Sequence, residues 1–179
     1  LQPVTSLFIV KPGENINYNG RKTNAVQDWL KIPASGMGLD EAQKYAAWLS
    51  RTRKIPGARL CSDFEWERAA RGSDEREYPA GYILDGTEAN IDETHNKDIA
   101  LAGPDEVGKH PASQSPFGIQ DMAGNVFEWV SSSLEDNQPA VRSGGFFYAS
   151  ISARSTNRTP VGANFHDPAA GLRLCADAP

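Results

Sequence analysis

Cysteine is nearly absent from this chain, with two in 179 residues, Cys61 and Cys175. A single pair excludes a disulfide-dense scaffold and a four-cysteine zinc cage, and leaves either one long-range bridge or two buried thiols. The three histidines, His95, His110 and His166, lack the H-x-x-x-H spacing of a zinc helix. No Gly-x-Ser-x-Gly elbow and no phosphate-binding loop is present, which removes two common catalytic signatures. No apolar run approaches the roughly 18 residues of a membrane span. Positive charge is also scarce: 18 Lys and Arg against 23 Asp and Glu give a net charge of -5. With no basic stripe, that balance argues against nucleic acid as a partner. The chain starts Leu-Gln-Pro-Val without a signal-like apolar segment, which reads as an excised domain or mature fragment and leaves localisation open.

One further absence is local. No Lys, Glu, Gln, Met or Trp follows Gln138, although thirty residues of those five types stand up to that point. Such a gap is not expected from the composition of the whole chain, and it marks the last forty or so residues as biased.

What is present fits one soluble globular domain over residues 1–179. Apolar residues make up 39% and charged residues 23%, while sixteen Gly and twelve Pro favour a loop-rich fold. The spacing predicts a helix over Leu39–Ser50, with Leu39, Ala42, Ala46 and Leu49 on one stripe. A second helix starts at the capping box Ser62/Glu65 and ends at Gly72. Trp48, Phe64 and Trp66 are expected in the core. Short strands are expected at Ala58–Cys61, Val126–Ser131, Val141–Tyr148 and Gly171–Cys175, and residues 72–115 read as a long ordered loop that needs anchors. Residues 1–35 carry weak signals, with a strand around Leu7–Val10 and a short apolar segment around Trp29–Ile32.

The ordered set RLCSDFEWERAARG, YPAG, EANID, SPFGIQDMAGNVFEWV, VRSGG and GLRLC resembles the formylglycine-generating-enzyme, or sulfatase-modifying-factor, domain family over roughly Leu39–Cys175. Residues 1–35 do not show that family's usual opening. The resemblance implies an α+β fold of the C-type lectin-like kind, with two helices, small antiparallel sheets, much ordered coil and bound calcium. Asp121, the carbonyls of Gly124 and Val126, and Glu128 match one calcium site, and hard oxygen donors around a tight turn suit that ion. Asn90 and the carbonyl of Ile91 match a second, with Asp98 as a downstream carboxylate. For Asp121 and Glu128 the alternative is capping of turn amides.

Catalysis departs from the resemblance. Oxidase members hold copper(I) between two cysteines in the segment after the Gly-Gly pair, as suits a soft ion. Here that segment, RSGGFFYASISARSTNR, has none. No copper and no catalytic residue is therefore expected.

The biased tail has a chemical explanation. A codon AAC or AAT whose adenines are replaced at random reaches every amino-acid type except Lys, Glu, Gln, Met and Trp. The segment 142–174 thus resembles the variable region of a diversity-generating retroelement protein. Its frame (RSGG, ARS, NR, GLRL) surrounds a candidate ligand-binding set: Phe146, Phe147, Tyr148, Ser150, Ile151, Thr156, Thr159, Val161, Phe165 and His166. Ala169 is also read as a free position. Arg154 and Arg158 are read as scaffold. The implied function is non-catalytic binding of a protein or cell-surface ligand through this face, whose aromatic and small polar residues resemble a paratope. The alternatives are a fixed regulatory or accessory domain of a bacterial signalling protein, and a formylglycine-generating-type oxidase.

Overall fold

The computed structural model describes residues 13–131, 138–162 and 164–177. The strand expected around Leu7–Val10 lies outside them. Two short strands, β1 (Ile16–Asn17) and β2 (Val26–Gln27), pair antiparallel, and a 3-10 turn at Trp29–Lys31 follows. Helix α1 (Leu39–Arg51) buries Ala42, Ala46 and Leu49, the expected stripe, and the Glu41 carboxylate accepts the Gly38 N–H at its start. Strand β3 (Arg59–Leu60) leads into α2 (Asp63–Arg71). Ser62 and Glu65 cap that helix reciprocally, and Gly72, at a φ of 73°, stops it.

Two of the aromatics expected in the core are not there. Trp66 is fully buried, but Phe64 is 66% exposed and Trp48 lies half-buried against Tyr45. Residues two apart on a helix point in opposed directions, so Phe64 and Trp66 cannot share one buried face.

Strands β4 (Phe127–Val130), β5 (Ala140–Arg142), β6 (Thr159–Pro160) and β7 (Ala170–Leu172) form the main sheet in the order β6-β5-β4-β7. It is mixed, because β4 runs parallel to β7. The last strand, β8 (Leu174–Cys175), returns to pair antiparallel with β3. Side chains of β4 alternate between two cores. Phe127 and Trp129 meet Ala42, Leu60 and Val141 on the α1 side, while Val130 meets Trp66, Ala70 and Met122 on the α2 side. Cys61 and Cys175 are bonded, with Cα atoms 4.9 Å apart.

The strand expected over Val141–Tyr148 ends at Arg142. Ser143 and Gly144 take φ values of 81° and 75°, which no strand allows. A Cβ on Gly144 would lie 2.6 Å from Ser152 Oγ, so this glycine permits the close approach of the following turn. Gly124 has the same reason: a Cβ there would meet the Asn90 carbonyl at 2.6 Å. Hydrogen bonds from Gly124 N–H to Ser143 O and from Asn125 N–H to Asn90 O, both 2.7 Å, join the three motifs at this point.

The long loop after α2 is anchored by Asp105, which is fully buried. Its carboxylate accepts from Arg21 (2.6 Å), Asn24 (2.9 Å) and Gln27 (3.2 Å) and pairs with His110 (2.8 Å). Burial would raise its pKa, but His110, Arg21 and Asn24 together hold it below the usual carboxylate value. A depressed folded value contributes stability that is fully present above the unfolded value of about 3.9 and is lost as pH falls through the folded one. Wild type should therefore lose stability below about pH 4, and Asp105→Asn, already weakened at neutral pH, should show a flatter acid limb in urea titrations. An unchanged acid limb would assign the transition to other carboxylates.

Candidate functional face and cleft

Strand register places much of the candidate set on one face. Thr159 pairs with Val141, Val141 with Trp129, and Trp129 with Leu172, so these four side chains form a row across the sheet on the α1 side. Val161 packs against the same core, and Phe165 stands edge-on to Trp129 with centroids 5.9 Å apart. Tyr148 stands edge-on to Phe127, two residues before Trp129, at 4.8 Å. Its hydroxyl donates to Asp167 (3.2 Å), and burial together with that carboxylate raises its pKa. His166 extends the row towards α1, 3.5 Å from Glu41.

The other candidates fall elsewhere. Ser150 donates to Glu93 through its N–H and its hydroxyl, and Ile151 beside it is 63% exposed. Thr156 is exposed near the Arg158 side of the domain. Phe146 is a correction: at 1% exposure it belongs to the core with Ala102, Val126 and Ala169, its N–H held on the Asn125 carbonyl at 3.0 Å just after the Ser143–Gly144 turn. Ala169, just before β7, is fully buried in the same cluster. The frame residues are held firmly. Arg142 is buried, with Asp63 at 3.3 Å, Glu67 at 3.0 Å and the Ser155 carbonyl at 2.8 Å, and Arg158 reaches the same two carboxylates at 2.6 Å each. Arg154 pairs with Glu77 near the surface.

Beside Tyr148 a cleft of about 490 Å3 opens between Phe146, Phe147, Asp167 and the segment 91–102. Sequence reasoning missed it, since Asp92, His95 and Ile99 share no spacing that marks a site. Burial first, and then Glu93, raises the Asp92 pKa, while burial and Arg21 lower that of His95.

The residues expected to hold calcium do not fit that ion as a set. Glu128 Oε1 accepts from Arg173 Nη2 (2.7 Å), and Oε2 accepts from Arg173 Nε (2.8 Å) and Trp66 Nε1 (2.5 Å), so both oxygens are engaged. Arg173 Nη2 also meets the carbonyls of Gln120 (3.1 Å) and Asp121 (3.4 Å), which places a guanidinium against this turn. The Gly124 carbonyl accepts from Ser143 Oγ. Val126 lines the shallow cleft beside these residues. Asp121 Oδ2 caps the Gly108 N–H at 2.7 Å, which is the amide-capping alternative, while Oδ1 is buried without a partner among the described residues and burial raises the Asp121 pKa. At the second position the Ile91 carbonyl accepts from the Thr94 N–H and Asp98 caps Ala100, while Asn90 donates through Nδ2 to the Gly103 carbonyl and its Oδ1 is buried without a partner among the described residues.

The domain is α+β, with a mixed sheet between the α1 and α2 cores and a loop-built face beside it. The sulfatase-modifying factor enzyme 1-like domain matches residues 9–178, and the chain belongs to that family. The match includes most of the N-terminal segment that shows no family opening in the sequence. The chain is similar to hercynine oxygenase of Mycobacterium tuberculosis, 37% identical over 107 residues that cover 57% of this chain and 22% of that protein. It is similar also to the inactive C-alpha-formylglycine-generating enzyme 2 of Bos taurus, 27% identical over 118 residues covering 63% and 36% of the two chains. The chain spans less than half the length of the curated relatives it matches. Among solved structures, PvdO from Pseudomonas aeruginosa superposes with a TM-score of 0.68 at 23% identity, covering 93% of this chain and 69% of that one. Treponema denticola variable protein 1 superposes at 0.54 and 20% identity, covering 65% and 46%. The family thus contains enzymes and an inactive member on one fold.

Proposed function

We propose that this domain is a non-catalytic binding module whose segment 142–174 presents a diversified face to a protein or cell-surface ligand. The observation that carries this reading is the row Thr159, Val161, Phe165 and Tyr148 on one sheet face, laid over a frame pinned by Arg142 and Arg158. Most of the free positions are exposed or half-buried, Phe146 and Ala169 excepted, and Arg142 and Arg158 of the frame are locked, a division that suits a changing paratope. The gap in five residue types falls on the same segment. The shared fold with a Treponema variable protein supports the reading. Copper chemistry of the family's oxidases needs two free thiolates, and the two cysteines of this chain are bonded to each other.

A fixed regulatory domain is the second reading, favoured by Phe146 and Ala169, since a core position is not free to vary. The gene decides between them. A near-copy of the codons for Arg142 to Cys175 downstream, differing only at adenines and lying beside a reverse transcriptase, is expected. Its absence would leave a fixed domain.

Stability separates face from core in the protein itself. Phe146→Ala should lower the unfolding free energy by about 3–5 kcal/mol, whereas Tyr148→Ala and Phe165→Ala should each cost under about 2 kcal/mol. Urea unfolding checks this, and large losses at both Tyr148 and Phe165 would move the face into the core.

A further inference from the structure

We propose that the cleft beside Tyr148 is a subsite for an arylalkylamine, an ammonium group on an aromatic stem. The inference deepens the binding reading above and rests on it for the neighbourhood of the two sites. At about 490 Å3 the cleft is of the size that takes a small ligand. Its apolar walls include Ile91, Ile99 and Ala102, and the rings of Phe146 and Phe147 lie 4.3 Å apart at 50° to one another. Paired rings with an open side suit an aromatic guest.

Two polar atoms in those walls have no partner among the described residues. His95 Nε2 and Asp92 Oδ1 are both buried and unbonded, and His95 as a whole is 7% exposed. Buried polar atoms almost always find a hydrogen bond, so an orphaned pair lining one cleft marks where a guest's donors belong. The charge around them selects the donor. Asp92, Asp98 and Asp167 face the cleft against Lys97 alone, a balance that attracts a cation and repels a carboxylate. An ammonium group carries three donors and no acceptor, which matches Asp92 Oδ1 and a neutral His95 protonated on Nδ1. Seven of the lining residues, from Ile91 to Ala102, precede the variable segment. The wall from Ile91 to Ala102, with Asp92 and His95, therefore stays fixed, while Phe146, Phe147, Asp167 and Pro168 belong to the segment that changes.

The test titrates 2-phenylethylamine into the full chain and follows the methyl resonances of Ile91, Ile99 and Ala102, with 2-phenylethanol and 3-phenylpropionate as the neutral and anionic counterparts. Saturable shifts are expected with the amine, binding about ten-fold weaker with the alcohol, and none with the carboxylate. Asp92→Asn should weaken the amine about ten-fold and leave the alcohol unchanged, while Phe147→Ala should weaken both. Should Asp92→Asn fail to fold, Asp98→Asn on the exposed rim gives the same contrast between amine and alcohol. Equal binding of amine and alcohol, indifference to the Asp variants, or displacement of the amine by calcium chloride would each overturn the proposal. Failure of the diversified reading shows in the gene and leaves these titrations standing, and the reverse also holds.

Discussion

Replacing Cys61 and Cys175 by alanine should lower the unfolding free energy by about 4 kcal/mol, and a reductant should do nearly the same to wild type. The bridge joins residues 114 apart in sequence, so it removes a long loop from the unfolded ensemble. It also acts where little else does. The β3–β8 pairing is two residues long on each strand, and beyond it the chain end is held by Arg59, which meets Asp177 at 3.0 Å. An ion pair that exposed adds about 1 kcal/mol at most. Urea unfolding with and without reductant measures the effect. A loss under about 1 kcal/mol would mean that the closing strand holds itself.

Glu128→Ala should be comparably damaging, by about 3–5 kcal/mol, because it leaves the buried Trp66 indole N–H without an acceptor and the Arg173 guanidinium without its counter-charge. Glu128→Gln keeps an acceptor for Trp66 and should lose less, the difference reporting the ionic part. Calcium or a chelator should leave the melting temperature of wild type unmoved, since Arg173 already supplies the cation at this turn. A rise with calcium would show that the metal displaces the guanidinium and would restore the expected site. The two outcomes differ in sign of dependence, and differential scanning fluorimetry separates them.

Local signals in the sequence were enough for both helices. The Ala42/Ala46/Leu49 stripe and the Ser62/Glu65 box depend on neighbours three or four residues away, and the structure keeps them within a residue or two. Signals that require knowing which face is covered were not enough. Phe64 and Trp48 are as apolar as Trp66, yet only Trp66 has a sheet beneath it. Glu128 and Asp121 have the residue types of a cation site. Whether they hold a metal or an arginine depends on Arg173, forty-five residues beyond Glu128 and brought to it by β7.

Composition and periodicity by themselves determined a loop-rich chain, its two helices, its motif glycines and the anomaly of its tail, while the α+β fold came from the resemblance of its ordered motifs. Those properties are set by each residue and its near neighbours, and they survive in any reading of the chain. Only the tertiary structure decided that Cys61 meets Cys175, that Phe146 turns inward while Tyr148 and Phe165 stay at the surface, and that Asp92 and His95 share a cleft with Phe147. Each of these is a juxtaposition across a loop whose closure the local sequence does not encode.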